Sequence, residues 1–157
     1  MKKLILSLMI MVACASAQAQ TPGNLFRQFK GAKNAEYVHL GKLALALMRP
    51  FIKDDEDEDA RTALRCIRSM KVLDLDDCTA EVKHSFAQKA KNLKTSGYEV
   101  LVRSNEKDES ALILFRQKKN VIRELLILSA DDDSCSLLQF KGRIKPGDVE
   151  KLMKDNQ

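Results

Sequence analysis

The chain has no tryptophan, three prolines, six glycines and only two histidines in 157 residues. Each shortage closes a door. None of the glycines falls in a phosphate-cradling loop, and neither a Gly-x-Ser-x-Gly elbow nor a His-Glu-x-x-His helix occurs. His39 and His84 share no helix turn with each other or with a cysteine, so three or four converging zinc ligands are not expected. No apolar run reaches the roughly 20 residues of a membrane-spanning helix. Basic residues are interspersed with acidic ones rather than gathered in a stripe, which argues against a nucleic-acid partner. Neither a cofactor nor a metal is expected.

What is present begins with the first nineteen residues. Met1-Lys2-Lys3 is a basic start, 4–13 is an apolar run, and Ala17-Gln18-Ala19 places small residues where a signal peptidase reads them. This pattern predicts a cleavable export signal over 1–19, with Ala17 and Ala19 marking the cleavage site. The mature chain would be periplasmic or secreted. Met11-Val12-Ala13-Cys14 offers an alternative, a lipid anchor on Cys14. Cleavage after 19 would leave 138 residues. Losing Lys2 and Lys3 would leave 25 basic against 22 acidic side chains, a net charge of +3. That is one domain's worth of chain, with enough residues for a single core.

Residues 20–34 read as a tether with one short helical turn. Asn24 is its expected cap, Leu25, Phe26 and Phe29 its apolar face, and Gly31 its stop. Residues 36–40 are ambiguous between strand and helix. Residues 41–52 read as helix, with Leu43, Leu47 and Phe51 beside Ala44 and Met48 on one face, loosened at Pro50. A solvated acidic loop follows at 54–59. A calcium loop of the EF-hand type needs Gly sixth and Glu twelfth. From Asp55 these positions hold Ala60 and Cys66, and from Asp54 they hold Asp59 and Arg65.

A strand is predicted over 62–74. Asp76, Asp77 and Thr79 then offer cap chemistry to an amphipathic helix carrying Val82, Phe86, Ala90 and Leu93, stopped near Gly97. Four short strands follow at 98–103, 111–116, 121–128 and 135–141, joined by polar turns. Val149, Leu152 and Met153 suggest a closing helix over 148–154. Helix, strand, helix, four strands and helix predict an α+β two-layer sandwich. A βα unit leads into a four-stranded meander in a mostly antiparallel sheet, with helices on one face and one domain over 35–157. The other face is expected to be mixed, carrying Arg68, Glu99, Arg103, Arg116 and Glu124 among apolar residues.

The leader, the Phe-rich first turn, the helix ending near Pro50 and the segment Phe140-Lys141-Gly142-Arg143-Ile144 resemble a family of exported Bacteroidetes proteins catalogued as domain of unknown function 4252. The resemblance covers most of 24–154. It implies a small α+β domain in the periplasm or on a lipid anchor, and carries no catalytic residues.

The mature chain keeps Cys66, Cys78 and Cys135. Eight strand residues at about 3.3 Å each put Cys66 roughly 26 Å from the level of Cys78, far beyond the ~7 Å that a disulfide spans. If the meander alternates regularly, Cys78 and Cys135 share one end of the sheet, which makes them the candidate disulfide. The competing reading is three buried thiols acting as small apolar residues. Cys78, in the first turn of a helix, is also the candidate nucleophile of a thiol-dependent enzyme, although Asp76 and Asp77 oppose its ionisation. The leading functional expectation is a non-catalytic exported module. It would bind an envelope protein or surface component through Arg68, Arg103, Arg116 and Lys118. A carrier of an apolar ligand, built around Leu43, Leu47, Met48 and Phe51, is the third reading.

Overall fold

A computed structural model describes residues 20–48, 65–105 and 109–147. The expected leader with Cys14, Ala17 and Ala19, Phe51, the acidic run 54–59 and the closing helix 148–154 lie outside the described residues.

The N-terminal segment does more than tether. Helix α1, Pro22–Phe29, begins three residues earlier than expected, because Thr21 is its cap and accepts the Asn24 N–H at 3.2 Å. Pro22 occupies the first turn, where a missing N–H costs nothing. Leu25, Phe26 and Phe29 all point inward and are at most 5% exposed. Strand β1, Glu36–Leu40, resolves the ambiguous segment. Helix α2, Lys42–Met48, strand β2, Ile67–Asp74, and helix α3, Ala80–Lys91, come next. Glu81 lies in the first turn of α3 and Lys89 and Lys91 in its last, each matched to the helix dipole.

The meander is β3, Glu99–Asn105, β4, Ser110–Lys118, β5, Val121–Ala130, and β6, Cys135–Ile144. The β4–β5 turn is tighter than the four residues expected. Lys119 and Asn120 alone make it, with φ of 53° and 54°, the backbone that a type I′ hairpin requires.

All six strands form one antiparallel sheet in the order β1-β2-β6-β5-β4-β3. The α+β class and the antiparallel meander are as expected. Strands β2 and β3 run in the same direction, with three strands between them, and α3 makes the crossing.

The register sorts the side chains into two faces. On one, Tyr37, Leu73, Leu137, Leu128, Leu112 and Arg103 form a row across all six strands. Helices α1 and α3 pack there, with Phe29 and Phe86 meeting edge to face at a centroid distance of 5.3 Å. Phe86 is fully buried, and a side chain of that size stabilises the fold by about 1.5–3 kcal/mol through burial alone. On the opposite face, Val38, Val72, Leu138, Ile127, Ile113 and Val102 form a row. Leu40, Met70, Phe140, Leu125, Phe115 and Glu99 form the next row.

The opposite face therefore joins these two largely apolar rows to a polar one, Glu36, Asp74, Ser136, Ser129, Ala111 and Ser104, and of the charged residues expected there it carries Glu99 but not Arg103, Arg116 or Glu124. It takes a helix of its own. Leu45 of α2 is 1% exposed and packs with Ile67, Ile122, Leu125 and Ile144. The α2 face expected to be inward, Leu43, Leu47 and Met48, is exposed at 75%, 64% and 45%.

Gly142 sits where β6 passes β2. A Cβ there would lie 3.0 Å from both the Cys66 carbonyl carbon and Ile67 Cα. Only a residue without a side chain lets these two backbones meet.

Candidate functional site

Helix α3 lies over β5 and β6 and stops short of the sheet's far side. Between α3 and the β3–β4 hairpin a groove of about 790 Å³ remains. Leu112, Leu128 and Ala130 line it from the sheet, Ala87 and Lys91 from the helix, and Arg103 from β3. Arg103 is there because Val102 and Arg103 pair with Ile113 and Leu112, after a β-bulge between Val100 and Val102. The bulge turns Arg103 to the helix side, where it ends the apolar row begun by Tyr37.

The groove is electrically lopsided. Glu81, Glu109, Asp131 and Asp132 line it near the β5–β6 turn. That turn is built by Asp131, whose Oδ1 accepts the Asp133 N–H at 2.9 Å and also the Ser134 N–H. Lys83 ties α3 to this end by donating to the carbonyls of Asp133 at 2.9 Å and Asp76 at 3.4 Å. Lys91 lies eight residues further along α3, about 12 Å at 1.5 Å per residue. Arg103 and Lys91 thus supply positive charge away from the acidic end. Neither has an ion-pair partner among the described residues.

Beyond the groove, Glu124 is 7% exposed and fully engaged. Its Oε1 accepts from Tyr98 Oη at 2.9 Å and from Gln139 Nε2 at 2.5 Å, and its Oε2 lies 3.7 Å from Arg116 Nη1. Arg116 also stacks on the Tyr98 ring, 4.3 Å from its centroid, and donates through Nε to the Gly97 carbonyl at 3.2 Å. Burial first, then the bond to Glu124, pushes the Tyr98 hydroxyl up to about 12. This network locks the β3–β4–β5 side of the sheet.

The four basic residues expected to share an interaction face are dispersed. Arg103 lines the groove, and Arg116 is committed to Glu124. Lys118 is exposed just before the β4–β5 turn, and Arg68 is exposed at a bulge in β2. Glu99 pairs with Phe115 and lies on the opposite face from Arg103, Arg116 and Glu124. The groove itself was not anticipated. Its one sequence signal is a single covering helix for a meander wider than a helix.

Cys78 and Cys135 do meet at one end of the sheet. The Leu75 N–H donates to the Cys135 carbonyl, and the Cys78 N–H to the Leu75 carbonyl, each at 2.9 Å. Their thiols are free rather than joined in the expected disulfide. Cys135 Sγ instead lies 3.4 Å from the Asp131 carbonyl and 3.8 Å from that of Lys83. Burial pushes the Cys135 thiol up to about 11, with Asp131 adding to the shift. Burial raises Cys78 as well, against the pull of Lys83.

His39 is exposed with Nε2 3.4 Å from Ser69 Oγ, and His84 is exposed with Nε2 2.9 Å from Gln88. Among the described residues no group of three or more His, Cys, Asp or Glu side chains could hold a metal ion, and no helix is long and apolar enough to cross a membrane.

No curated protein and no solved structure matches the chain. The profile of a family described as a domain of unknown function, DUF4252, matches residues 29–152. That span takes in β1 through β6, the groove, and Gly142 at the β2–β6 crossing. The chain belongs to this family, domain of unknown function 4252.

Proposed function

We propose that the chain is a non-catalytic domain, exported to the cell envelope, that binds another protein through the half of its sheet that α3 leaves open. The observation that carries the reading is the groove beside β3, with an apolar floor and an unpaired arginine on its rim. An open groove of this composition suits recognition, since apolar area supplies contact and a few placed charges supply selectivity. The leader pattern of 1–19 supports export.

Two observations weigh against the other readings. Both Cys78 and Cys135 are buried with raised pKa values, so neither is a thiolate at neutral pH as thiol catalysis requires. Leu43 and Leu47 face solvent instead of a gap between helix and sheet, which removes the motive for an apolar-ligand carrier.

A photo-crosslinking side chain placed at Asn105, on the groove rim, tests the reading in the native host. A discrete protein adduct is expected from Asn105 and none from Lys30, an exposed control at the end of α1. Equal labelling at both positions, or none at either, overturns it. The intact mass of the protein recovered from that host tests export. A start at Gln20 or a lipid on Cys14 is expected, and an unprocessed cytosolic chain overturns that half of the proposal.

A further inference from the structure

Strand β3 is an edge strand, and all of its residues except Ser104 are exposed. Val100, Leu101 and Val102 are 47%, 47% and 38% exposed. An edge strand has a row of N–H and C=O groups with no neighbour, and exposed apolar residues along it mark a pairing site. The opposite edge strand, β1, is shorter, and Val38 is its one exposed large hydrophobe. Tyr37 of β1 packs on Phe26 of α1 at a centroid distance of 6.1 Å, and α2 follows β1 directly and packs against β1 and β2. Resting on the reading of the open half as the contact surface, we infer that the partner contributes an extended segment that adds to β3 as a seventh strand, with an acidic side chain beside Arg103.

Charge complementarity identifies the occupant. Arg103 is the one cation that β3 carries, and it lacks an ion-pair partner among the described residues. Arg116, the next cation on that face, is already engaged by Glu124. A carboxylate on the added strand would fall within the 4.5–5.5 Å Cβ spacing of directly opposed residues. Because side chains alternate between faces, the residue next to that carboxylate meets Val102 on the other side and should be β-branched.

A second copy of this chain fits poorly. The bulge at Leu101 confines regular pairing to Val102–Asn105. A two-fold pairing of that stretch opposes Arg103 to a second Arg103 or to Asn105, never to an acid. The short regular stretch also points to a brief, readily reversed contact.

Hydrogen exchange of the β3 amides in the full mature chain, with a defined probe, tests this. The probe is the capped peptide Thr-Val-Glu-Val-Thr-Val. Its controls are the same peptide with Lys for Glu and a version with alternate amides N-methylated. The Glu peptide is expected to slow β3 exchange at least five-fold, and the N-methylated peptide to have no effect. The Lys peptide should bind at least ten-fold more weakly, with the ranking reversed in Arg103→Glu and levelled in Arg103→Gln. Protection confined to the opposite apolar face, a ranking indifferent to Arg103, or dimerisation through β3 without peptide overturns the inference. An adduct at Asn105 with β3 exchange unmoved by every peptide would also overturn it, while leaving the binding-module reading in place.

Discussion

The two halves of the sheet are built alike and finished differently. Around β2 and β6 the backbone is paired on both sides, α1 and α3 cover one face, and α2 caps part of the other. Leu73, Leu137 and Phe86 there have no exposed surface. Around β3 the ladder is equally regular beyond its bulge, yet one edge is bare and the valines stand in solvent. The difference separates two tasks. Cooperative stability resides where side chains have lost their water, and the accessible backbone lies where they have not.

The largest test of that contrast is Phe86→Ala. Removing a fully buried ring from beneath α3 should cost about 3–5 kcal/mol in urea unfolding. A loss below about 1 kcal/mol would mean that the covered half is not the source of stability. Gly142→Ala comes next, at about 1–3 kcal/mol, because the new methyl meets backbone rather than a pliable side chain. Amide exchange should quicken first in β1 and β2 while β3 and β4 keep their rates. Uniform acceleration would erase the proposed division.

A third test uses alkali. Cys135, Cys78 and Tyr98 each hold their protons more tightly when folded than when unfolded. Stability should therefore be level below about pH 9, the usual thiol value, and decline as pH rises towards 11. Tyr98 adds a further decline between 10 and about 12. Cys135→Ala should flatten the first part of that slope. An unchanged slope would show that the thiol is not the group responsible. The smallest effect belongs to the bare half. Val102→Lys should change stability by no more than about 0.5 kcal/mol, since its side chain is 38% exposed. A loss above 2 kcal/mol in the isolated chain would mean that β3 is already covered.

Much of the architecture was legible in the residues. The alternation around Val100, Leu112, Leu126 and Leu137 announces the meander, and Phe86 with Ala90 announces α3. Three features were not. β1 is a five-residue edge strand whose exposure follows no alternation, so Glu36–Leu40 carries no phase. α2 is seven residues of mostly Leu and Ala with apolar side chains all round, and periodicity cannot say that Leu45 faces inward. Bulges account for part of the error over Arg68, Glu99, Arg103, Arg116 and Glu124: one parts Arg103 from Glu99 and another falls at Arg68, whereas Arg116 and Glu124 keep the phase of Leu114 and Leu126 and share their helix-side face. The register slips at Ile67/Ser69, Val100/Val102, Arg116/Gln117 and Ile122/Glu124. Each slip inverts the odd–even count that assigns a side chain to a face. The groove depends on which strands one helix reaches, and no local pattern encodes that reach.

Strand β6 comes last of the six in the chain yet takes an inner place, joining β2 on one flank to β5 on the other. As the chain emerges N-terminus first into the compartment where it folds, the β1–β2 pair and the β3–β4–β5 meander would form as separate pieces with no ladder in common. Only when Cys135–Ile144 arrives does a single strand knit both into one sheet. A chain that has emerged only as far as residue 134 therefore exposes the unpaired edges of β2 and β5 together, and these are the surfaces a chaperone would have to shield until β6 arrives.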